Sequence, residues 1–380
     1  MGVLQKLVVV GEDCVSHIAS ISRLESIMDI KSVLVVEYVG KKCIEILNQH
    51  GIKVTQNFSL TEQDLIDEIP RSRFPLLLHT MLTRKPQPPL KILVGRELSE
   101  YDALVVQSGT KVPIEVLFAG KKLKVVASGG AYSKNIDVLA AMNRNIHVIN
   151  APRSTFVSVC EYTCTVILAL ARHLVKANYS YCAGMVDRAM YTGSELQGKT
   201  LAFIGLGEIA KGVAVRMKAF GMKVIGFDES FSDEEYRQYG IIKTTYEEMW
   251  PQADYIVLYT TPFDRSVCAF LTSDILKSCK RGVKIIIMGH LNVFLPRDMH
   301  EGLKSGQVGG AAFDLYDEYV DMDFLKYPVF QHSSVICTTH LAMETQEAIE
   351  RGGKEVAEQI VNMWKPHTYD TPINFLTKFN

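Results

Sequence analysis

Three small residues and one carboxylate have the spacing of a site that binds a dinucleotide. Gly205, Gly207 and Ala210 follow the apolar run Leu201–Ile204, and Asp228 closes the next apolar run about 20 residues later. The first glycine allows a tight turn from strand to helix, the second leaves room for a diphosphate, and the alanine lets helix and strand pack closely. The helix that follows would offer free N–H groups and the positive end of its dipole to the diphosphate.

Asp228 indicates which dinucleotide fits. Its carboxylate lies at the end of the predicted strand Lys223–Phe227, where it can accept hydrogen bonds from the hydroxyls of an adenosine ribose. A 2′-phosphate at that place would be repelled, so the pattern favours NAD over NADP as the cofactor. The alternative for the same residues is a glycine-rich turn that binds no ligand.

These residues belong to a chain in which predicted strands and helices alternate, which indicates parallel α/β domains. Strands are predicted over Ser32–Tyr38, Ile52–Val54, Ala103–Val106, Val125–Ser128, His147–Asn150, Leu201–Ile204, Lys223–Phe227, Asp254–Tyr259, Gly282–Met288, Gly309–Asp314 and Ser334–Thr338. Apart from the helix after Gly207, helices are predicted over Lys41–Gln49, Thr61–Ile69, Ile114–Lys121, Val157–Lys176 and Glu344–Trp364. The last of these is expected to pack back on the first domain, and residues 74–98, with a cluster of prolines at Pro86, Pro88 and Pro89, are expected to be an insertion.

Composition sets the broad class of the protein. With 380 residues, 47 % hydrophobic and 22 % charged, the chain is long enough for two globular domains. A net charge of -1 gives no electrostatic support for nucleic-acid binding. No stretch approaches the roughly 18 apolar residues that span a bilayer, so no membrane partner is expected. The N-terminus lacks a signal-peptide pattern, and eight cysteines without a C-x-x-C pair indicate a reducing compartment, so a cytoplasmic location is expected. No metal site is predicted.

Dispersed segments in order along the chain resemble the D-2-hydroxyacid dehydrogenase family, and within it the animal-type D-3-phosphoglycerate dehydrogenases. The segments are QSGTKV (107–112), KNIDVLAAMNRNIHVINAP (134–152), ELQGKTLAFIGLG (195–207), RMKAFGMKVIGFD (216–228), EEMWPQADYI (247–256) and LKSGQVGGAAFD (303–314). The resemblance implies two Rossmann-like, doubly wound parallel-sheet domains. Residues 1–150 plus 341–380 would form a discontinuous, flavodoxin-like substrate domain, and 151–340 the NAD-binding domain. The first 30 residues would be an extension, and no regulatory module is expected after the short catalytic core.

The resemblance also implies a mechanism, in which a His takes the hydroxyl proton, a Glu supports that His, and an Arg binds the substrate carboxylate. His340, in CTTHLA (337–342), matches the catalytic His. His290 stands where the Arg is expected, and it cannot form the bidentate fork of a guanidinium. Tyr319 stands where the Glu is expected, although Glu318 lies one place earlier.

Substrate positions implied by the resemblance have changed as well. Gln107 and Ser128 each replace an Arg of the family, and Tyr132 replaces a Gly. Lys134 and Arg153 are cations that the family pattern lacks, so a different anion stays open as substrate. The implied substrate-binding positions are Ser108, Gly109, Lys111 and Gly130.

Cofactor positions implied by the resemblance largely survive. Glu208 is the exception, because the family usually has Arg beside the diphosphate, and the change should weaken NAD affinity without abolishing it. Asp314 faces the nicotinamide side in the family. The full set is Ala131, Gly205, Gly207, Glu208, Ile209, Asp228, Thr261, Met288, Gly289 and Asp314.

Two functions therefore stay open from the sequence. The chain is either an active NAD-dependent oxidoreductase for a 2-hydroxy or 2-oxo acid, or a catalytically inactive NAD(H)-binding paralogue that acts as a regulator or dimer partner. Family members dimerise through the cofactor domain, and the segments 157–176 and 190–196 match that region. A homodimer, or a heterodimer with an intact paralogue, is expected.

Overall fold

The computed structural model divides into two compact units. Within the described residues, the first unit contains 30–152 and the C-terminal helix from Ile349, and the second contains Arg153–Ala348. The predicted helix Thr61–Ile69 and nearly all of the 74–98 insertion lie outside the described residues. The structure describes residues 30–56, 98–185, 187–229, 231–259, 270–289, 293–315, 327–338 and 340–363.

The first unit contains a five-stranded parallel sheet in the flavodoxin-like order β2-β1-β3-β4-β5. Apolar side chains cover both faces, with Val33 and Val35 on one and Leu34 on the other, because successive strand residues point to opposite sides. The strands are β1 Ser32–Val35, β2 Lys53–Gln56, β3 Ala103–Val106, β4 Val125–Ser128 and β5 His147–Asn150. The helices between them are α1 Lys41–Gln49, α2 Ile114–Ala119 and α3 Val138–Asn143.

The second unit contains a seven-stranded sheet in the order β12-β11-β10-β9-β6-β7-β8, and all of its strand pairs are parallel. Leu201 and Phe203 belong to the core on one face, and Ala202 to the core on the other. The strands are β6 Thr200–Ile204, β7 Lys223–Phe227, β8 Ile242–Lys243, β9 Tyr255–Tyr259, β10 Val283–Gly289, β11 Val308–Leu315 and β12 Val335–Thr338. Sequence and structure thus agree on two doubly wound α/β domains.

Helices of the second unit begin at recognisable capping residues. Ser232 and Thr245 each form a capping box with a Glu three residues later. The helices are, in chain order, α4 Phe156–Ala171, α5 Leu174–Cys182, α6 Glu208–Ala219, α7 Asp233–Tyr239, α8 Tyr246–Met249, α9 Ser273–Ser278, α10 Pro296–Lys304 and α11 Gln346–Met363. The last of them, α11, leads from the second unit into the first. Short 3-10 helices cover Arg188–Tyr191, Pro328–Gln331 and Leu341–Met343.

The single helix predicted over Val157–Lys176 is wrong. α4 ends at Ala171, and His173 adopts a left-handed backbone conformation with φ 51° before α5 begins. The apolar pattern continues across the break, but Leu174 and Val175 are exposed rather than buried. Hydrophobic periodicity alone therefore did not reveal where the helix ends.

Several predicted boundaries also need correction. The strand predicted over Ser32–Tyr38 ends at Val35, and the one predicted over Ile52–Val54 is shifted to Lys53–Gln56. The helix predicted over Ile114–Lys121 ends at Ala119 because Gly120 follows. In the first and third cases the element ends before the predicted run does, whereas the second strand extends two residues beyond the predicted end.

α11 returns the chain to the first unit, as predicted. Val356, Ala357 and Ile360 are fully buried and belong to the same core as Val33 and Val35. The apolar face of α11 is thus buried against the five-stranded sheet. Because this helix comes from the end of the chain, the first unit is discontinuous in sequence.

Among the described helices, no single one is both long and apolar enough to cross a membrane. α4 and α5 pass such a test only as a pair, and they are bent by 63° at their break.

Candidate functional site

The seven-stranded sheet has a topological switch point beside β6. From β6 the chain proceeds outward through β7 and β8, then returns to add β9 on the other side of β6. In doubly wound sheets, ligands bind at the carboxyl ends of the strands on either side of such a point. Gly205 follows β6 directly, and β6 and β9 pair in register up to Ile204 and Leu258. The glycine loop therefore lies where this fold binds ligands.

Gly205 and Gly207 have different geometric roles in the loop. Gly205 has φ 84°, a left-handed conformation that favours glycine. Gly207 has φ -60°, which any residue can adopt, and a Cβ added there would meet no atom within 4 Å. Space in front of Gly207, directly before α6, is therefore open for a ligand rather than required for packing. Ala210 is fully buried in the core beneath, as its small size suggested.

Asp228 is joined to the glycine loop by a hydrogen bond. The Leu206 N–H donates to Asp228 Oδ2 at 2.8 Å, and the Asp228 N–H donates to the hydroxyl of Tyr236 at 3.0 Å. Burial raises the pKa of the Tyr236 hydroxyl, so it stays a neutral donor and acceptor near pH 7. The carboxylate is thus held between the end of β7 and the loop, where the sequence pattern placed it.

Glu208 begins α6 and is paired rather than isolated. Lys211 Nζ lies 2.6 Å from Glu208 Oε1 and 3.1 Å from Glu235 Oε1. The same ammonium group lies 4.9 Å from the ring centroid of Phe231 and 5.2 Å from that of Tyr239. The Glu208 side chain remains 73 % exposed, so its carboxylate is accessible at the start of α6.

The other predicted cofactor positions of this unit that the structure describes lie at the ends of β10 and β11 and in the first turn of α6. Met288 and Gly289 close β10; Met288 is buried, and Gly289 adopts φ 155°. Ile209 is half-buried against the core, and its carbonyl accepts a hydrogen bond from the thiol of Cys160 on α4. Asp314, near the end of β11, has no exposed surface. These residues share the carboxyl edge of the sheet with the glycine loop.

His340 follows β12 at the same edge of the sheet. It is half-buried and adopts a left-handed backbone conformation with φ 57°. Asp314 accepts hydrogen bonds from the backbone N–H groups of the two residues that follow His340, Leu341 at 2.8 Å and Ala342 at 2.9 Å. The glycine loop, Asp228 and His340 thus lie at the carboxyl ends of β6, β7 and β12, along one edge of the seven-stranded sheet.

The substrate-binding positions predicted in the first unit lie at the carboxyl ends of β3 and β4. Ser108 and Gly109 are exposed in the turn after β3, and Lys111 is half-buried. Gly130 is buried, and its N–H donates to Ser128 Oγ at 3.4 Å. Ala131, a predicted cofactor position, follows Gly130.

Side-chain amides brace both turns in the first unit. Asn150 Nδ2 donates to the Ala131 carbonyl at 2.6 Å. Asn135 Nδ2 donates to the carbonyls of Gln107 and Thr110. The two turns therefore have a defined backbone conformation.

Neutral groups occupy the positions where the resemblance implies arginines. Gln107 Nε2 donates to the Tyr38 carbonyl at 3.2 Å, and its amide would lie about 3.0 Å from a Cβ added to Gly129. Ser128 Oγ donates to the Tyr132 carbonyl at 3.2 Å, so the hydroxyl is used inside its own loop. The ammonium group of Lys134 lies 5.5 Å from the ring centroid of Tyr132. At these two positions, Gln107 and Ser128, the loops therefore offer no guanidinium group to bind an anion.

Four positions of interest fall outside the described residues: His290, Tyr319, Glu318 and Thr261. Their roles remain predictions. Arg153, a cation predicted near the substrate, is exposed and is the first residue of the second unit.

Four hydroxyl-bearing residues near His340 in sequence or in the fold were not foreseen. Tyr162 Oη lies 2.6 Å from Thr338 Oγ1, and Thr338 Oγ1 donates to Asp314 Oδ1 at 2.8 Å. Ser158 Oγ lies 2.6 Å from Thr345 Oγ1. Hydroxyls on an apolar helix such as α4 are a weak sequence signal, because Thr163 on the same helix simply donates to the carbonyl four residues earlier.

Comparison with known proteins identifies the second unit. Residues 164–342 match the model of the NAD-binding domain of D-isomer-specific 2-hydroxyacid dehydrogenases. The chain carries the NAD-binding domain of that family. Its β6 loop, Asp228 and His340 all fall within the matched residues or at their edge.

Curated relatives agree with this identification. D-3-phosphoglycerate dehydrogenase of Rattus norvegicus is 32 % identical over 346 residues, which is 91 % of this chain and 59 % of that protein. The Bacillus subtilis enzyme of the same name is 34 % identical over 269 residues, covering 71 % of this chain and 50 % of the relative. The chain thus spans between half and three fifths of these relatives.

The fold has close counterparts among solved structures. Apo D-lactate dehydrogenase from Escherichia coli superposes with a TM-score of 0.68 at 20 % identity, covering 88 % of this chain and 96 % of that one. The likeness supports the two-domain α/β architecture.

Proposed function

We propose that this protein binds NAD(H) and oxidises or reduces a 2-hydroxy or 2-oxo acid, with His340 as the acid–base group. The family domain, the curated relatives and the sheet edge that carries Gly207, Asp228 and His340 support the proposal. The oxidoreductase activity and the substrate class come from the relatives' names, so both need direct tests.

The single observation that carries the cofactor assignment is the open space at Gly207, directly before α6 at the switch point of the sheet. An added Cβ meets nothing within 4 Å, and the loop leads directly into α6, whose first N–H groups can bind a diphosphate. Asp228 offers its carboxylate to ribose hydroxyls. When bound, the nicotinamide ring supplies the hydride acceptor or donor. The residues present fit this group.

His340 would hold the proton that leaves or joins the substrate hydroxyl, because imidazole titrates close to neutral pH. The positions at which the resemblance implies Arg and Glu carry His290 and Tyr319. A hydrogen bond from a charged partner contributes about 1.5–3 kcal/mol, and about 1.36 kcal/mol corresponds to tenfold in rate. Loss of one such contact therefore lowers efficiency by roughly 10- to 100-fold.

Gln107 favours a substrate other than the one named in the curated relatives. A neutral amide that donates to Tyr38 replaces the arginine implied by the resemblance, and Ser128 replaces another. We expect a 2-hydroxy or 2-oxo acid without a phosphate group to be the better substrate.

The same two replacements favour a second candidate, an inactive NAD(H)-binding paralogue with a regulatory or dimer-partner role. Cofactor binding and catalysis use different residues, so a chain can keep the glycine loop while losing its contacts to substrate. In this alternative, NADH binding is retained and no 2-oxo acid is turned over.

We further propose a homodimer or a heterodimer with a paralogue. Large apolar side chains are exposed along and after α5, including Leu174 at 62 %, Tyr179 at 75 % and Met190 at 64 %. A protein–protein interface would bury such a surface. Light scattering of the purified protein at several concentrations should give twice the chain mass if it is a homodimer; a monomer throughout contradicts the homodimer. A cytoplasmic location fits the free thiols of Cys43, Cys160, Cys164, Cys182, Cys279 and Cys337.

One experiment separates the two candidates. NADH binding is measured by calorimetry, and oxidation of NADH is then followed with a panel of 2-oxo acids, with and without phosphate groups, for wild type and His340→Asn. Turnover that His340→Asn abolishes, with NADH binding kept, supports the oxidoreductase. NADH binding without turnover of any acid supports the paralogue. Absence of NADH binding overturns both.

A further inference from the structure

Asp314 has both carboxylate oxygens occupied by donors around His340. Oδ1 accepts from Thr338 Oγ1 and the Leu341 N–H, both at 2.8 Å, and Oδ2 accepts from the Ala342 N–H at 2.9 Å. The side chain has no exposed surface. A buried carboxylate requires such donors, and all three flank His340 in sequence.

The hydroxyl contacts form a chain with a defined direction. Thr338 has one hydroxyl hydrogen, which goes to Asp314 at 2.8 Å rather than to the Phe313 carbonyl at 3.5 Å. Tyr162 must therefore donate in its own 2.6 Å contact with Thr338 Oγ1. Burial raises the pKa of the Tyr162 hydroxyl, which keeps it protonated and able to donate. Hydrogen bonds in such a chain polarise and strengthen one another.

α4 contacts the chain on both sides of His340. Ser158 and Tyr162 are four residues apart, so they lie on the same face of the helix. Tyr162 bonds Thr338, two residues before His340, and Ser158 bonds Thr345, five residues after it. One helix face therefore brackets the turn, while Asp314 holds its centre.

The turn needs such support because of its backbone conformation. His340 has φ 57°, and a left-handed conformation costs a residue with a Cβ stability relative to the right-handed region. Such strained residues persist only where the surrounding structure fixes them, and they cluster at functional sites. The hydrogen bonds of Asp314 to Leu341 and Ala342 supply that constraint.

We propose that Asp314, Thr338 and the α4 hydroxyls of Ser158 and Tyr162 are positioning residues that fix the imidazole of His340. This rests on the proposed function, in which His340 carries the substrate proton. Thr338 and Tyr162 act through Asp314, and Asp314 acts on the turn rather than on the reacting atoms. A displacement of about 1 Å at a reacting group costs on the order of 100-fold in rate, so fixing this turn has a direct catalytic consequence.

The test measures the His340 ring itself in the full-length chain. Protein labelled with ¹³C-histidine gives a ring resonance for each His, and His340→Gln identifies the one for His340. Its pH titration is then recorded for Thr338→Val, Thr338→Ser and Tyr162→Phe. Tyr179→Phe is the matched control, because Tyr179 is 75 % exposed on the neighbouring helix α5. Turnover and KM are measured on the same samples.

Thr338→Val and Tyr162→Phe should each shift the His340 resonance and its titration midpoint, while Thr338→Ser and Tyr179→Phe restore or keep the wild-type curve. Turnover should fall about 10- to 100-fold in Thr338→Val with KM unchanged. Should Thr338→Val not fold, Tyr162→Phe still decides the matter. Wild-type titration curves in every folded variant overturn the proposal. If wild type neither binds NADH nor turns over, the proposed function fails, but the ring titration still supports or rejects the positioning role.

Discussion

The carboxyl edge of the seven-stranded sheet and the loops after β3 and β4 differ in how closely they keep the residues that the resemblance implies. At the first, Gly205, Gly207 and Asp228 have the geometry that a dinucleotide needs. At the second, Gln107 and Ser128 stand where the resemblance implies arginines, and both use their polar atoms inside the protein.

The contrast teaches that the two sites are physically separable. Nucleotide binding depends on backbone shape and one carboxylate, whereas binding an anionic substrate depends on a few long cationic side chains. Substitutions of the second kind leave the fold intact, because the amide of Gln107 and the hydroxyl of Ser128 find partners nearby.

The largest effect is expected from Gly207→Val. A valine at φ -60° is unstrained and its Cβ has no atom within 4 Å, yet its side chain fills the space that the diphosphate needs. NADH affinity, followed by nucleotide fluorescence, should fall at least about 100-fold, or about 2.7 kcal/mol, while thermal stability should fall only slightly, because valine is a poorer N-cap of α6 than glycine. Gly109→Val is the control, since Gly109 also has open space but lies in the first unit. Equal NADH affinity in Gly207→Val and wild type would contradict the assignment of the nucleotide site to the Gly207 loop, and with it the contrast between that site and the loops after β3 and β4.

Asp228→Asn should have the next largest effect. The amide oxygen can still accept from Leu206, but the charge that binds the ribose hydroxyls is gone, so NADH affinity should fall about tenfold. NADPH should lose less or gain, because its 2′-phosphate is no longer repelled. Asp254→Asn is a matched control, because Asp254 accepts the Thr200 N–H at 2.9 Å at the opposite end of β6. A similar loss of NADH affinity in both variants contradicts the assignment of Asp228.

Glu208→Arg should sharpen the contrast with a smaller effect of opposite sign. Replacing an exposed negative charge beside the diphosphate by a positive one should raise NADH affinity several-fold, by about 1 kcal/mol, and more at low salt. Glu234→Arg is the control, because Glu234 has nearly the same exposure and also pairs with a cation three residues away. An equal gain in both variants would indicate a general charge effect, and no gain would remove Glu208 from the site.

Asp102→Asn, in the first unit, is expected to leave NADH affinity unchanged, which is the smallest effect of the four substitutions. Burial alone would raise the pKa of Asp102, but hydrogen bonds from Lys31, Lys124 and Ser32 outweigh it and lower the pKa below 3.8. The folded state therefore favours the charged form.

The stability that Asp102 contributes is fully present above about pH 3.8 and is lost as pH falls through its folded-state pKa. Asp102→Asn should cost about 1.5 kcal/mol in urea unfolding at pH 7, and the difference from wild type should shrink below pH 3.8. The lowered pKa of Asp102 would be contradicted if the difference in unfolding free energy between Asp102→Asn and wild type stayed constant down to about pH 2, where the carboxyl group is taken to be protonated.

Local patterns were sufficient for most of the buried strands and for the glycine loop, whereas the exposed two-residue strand β8 was not predicted. Ala103–Val106 and Val125–Ser128 were predicted to the residue, because strands buried on both faces read as continuous apolar runs. Asp228 could be located because its partner in the loop is only 22 residues away.

Non-local contacts account for what the sequence did not reveal. Tyr162 and Thr338 are 176 residues apart, and nothing in either segment signals the other. The helix break at His173 was missed for a related reason, since α4 is buried by the sheet core while Leu174 and Val175 beyond the break are exposed. Periodicity reports the apolar face of a helix and not what covers it.

A crystal structure of the protein with NADH tests the central claim most directly. The account predicts diphosphate density against the backbone of Gly207 at the start of α6, with the adenosine ribose hydroxyls on the carboxylate of Asp228. Saturating NADH that leaves this loop empty, or that binds elsewhere on the protein, would contradict it.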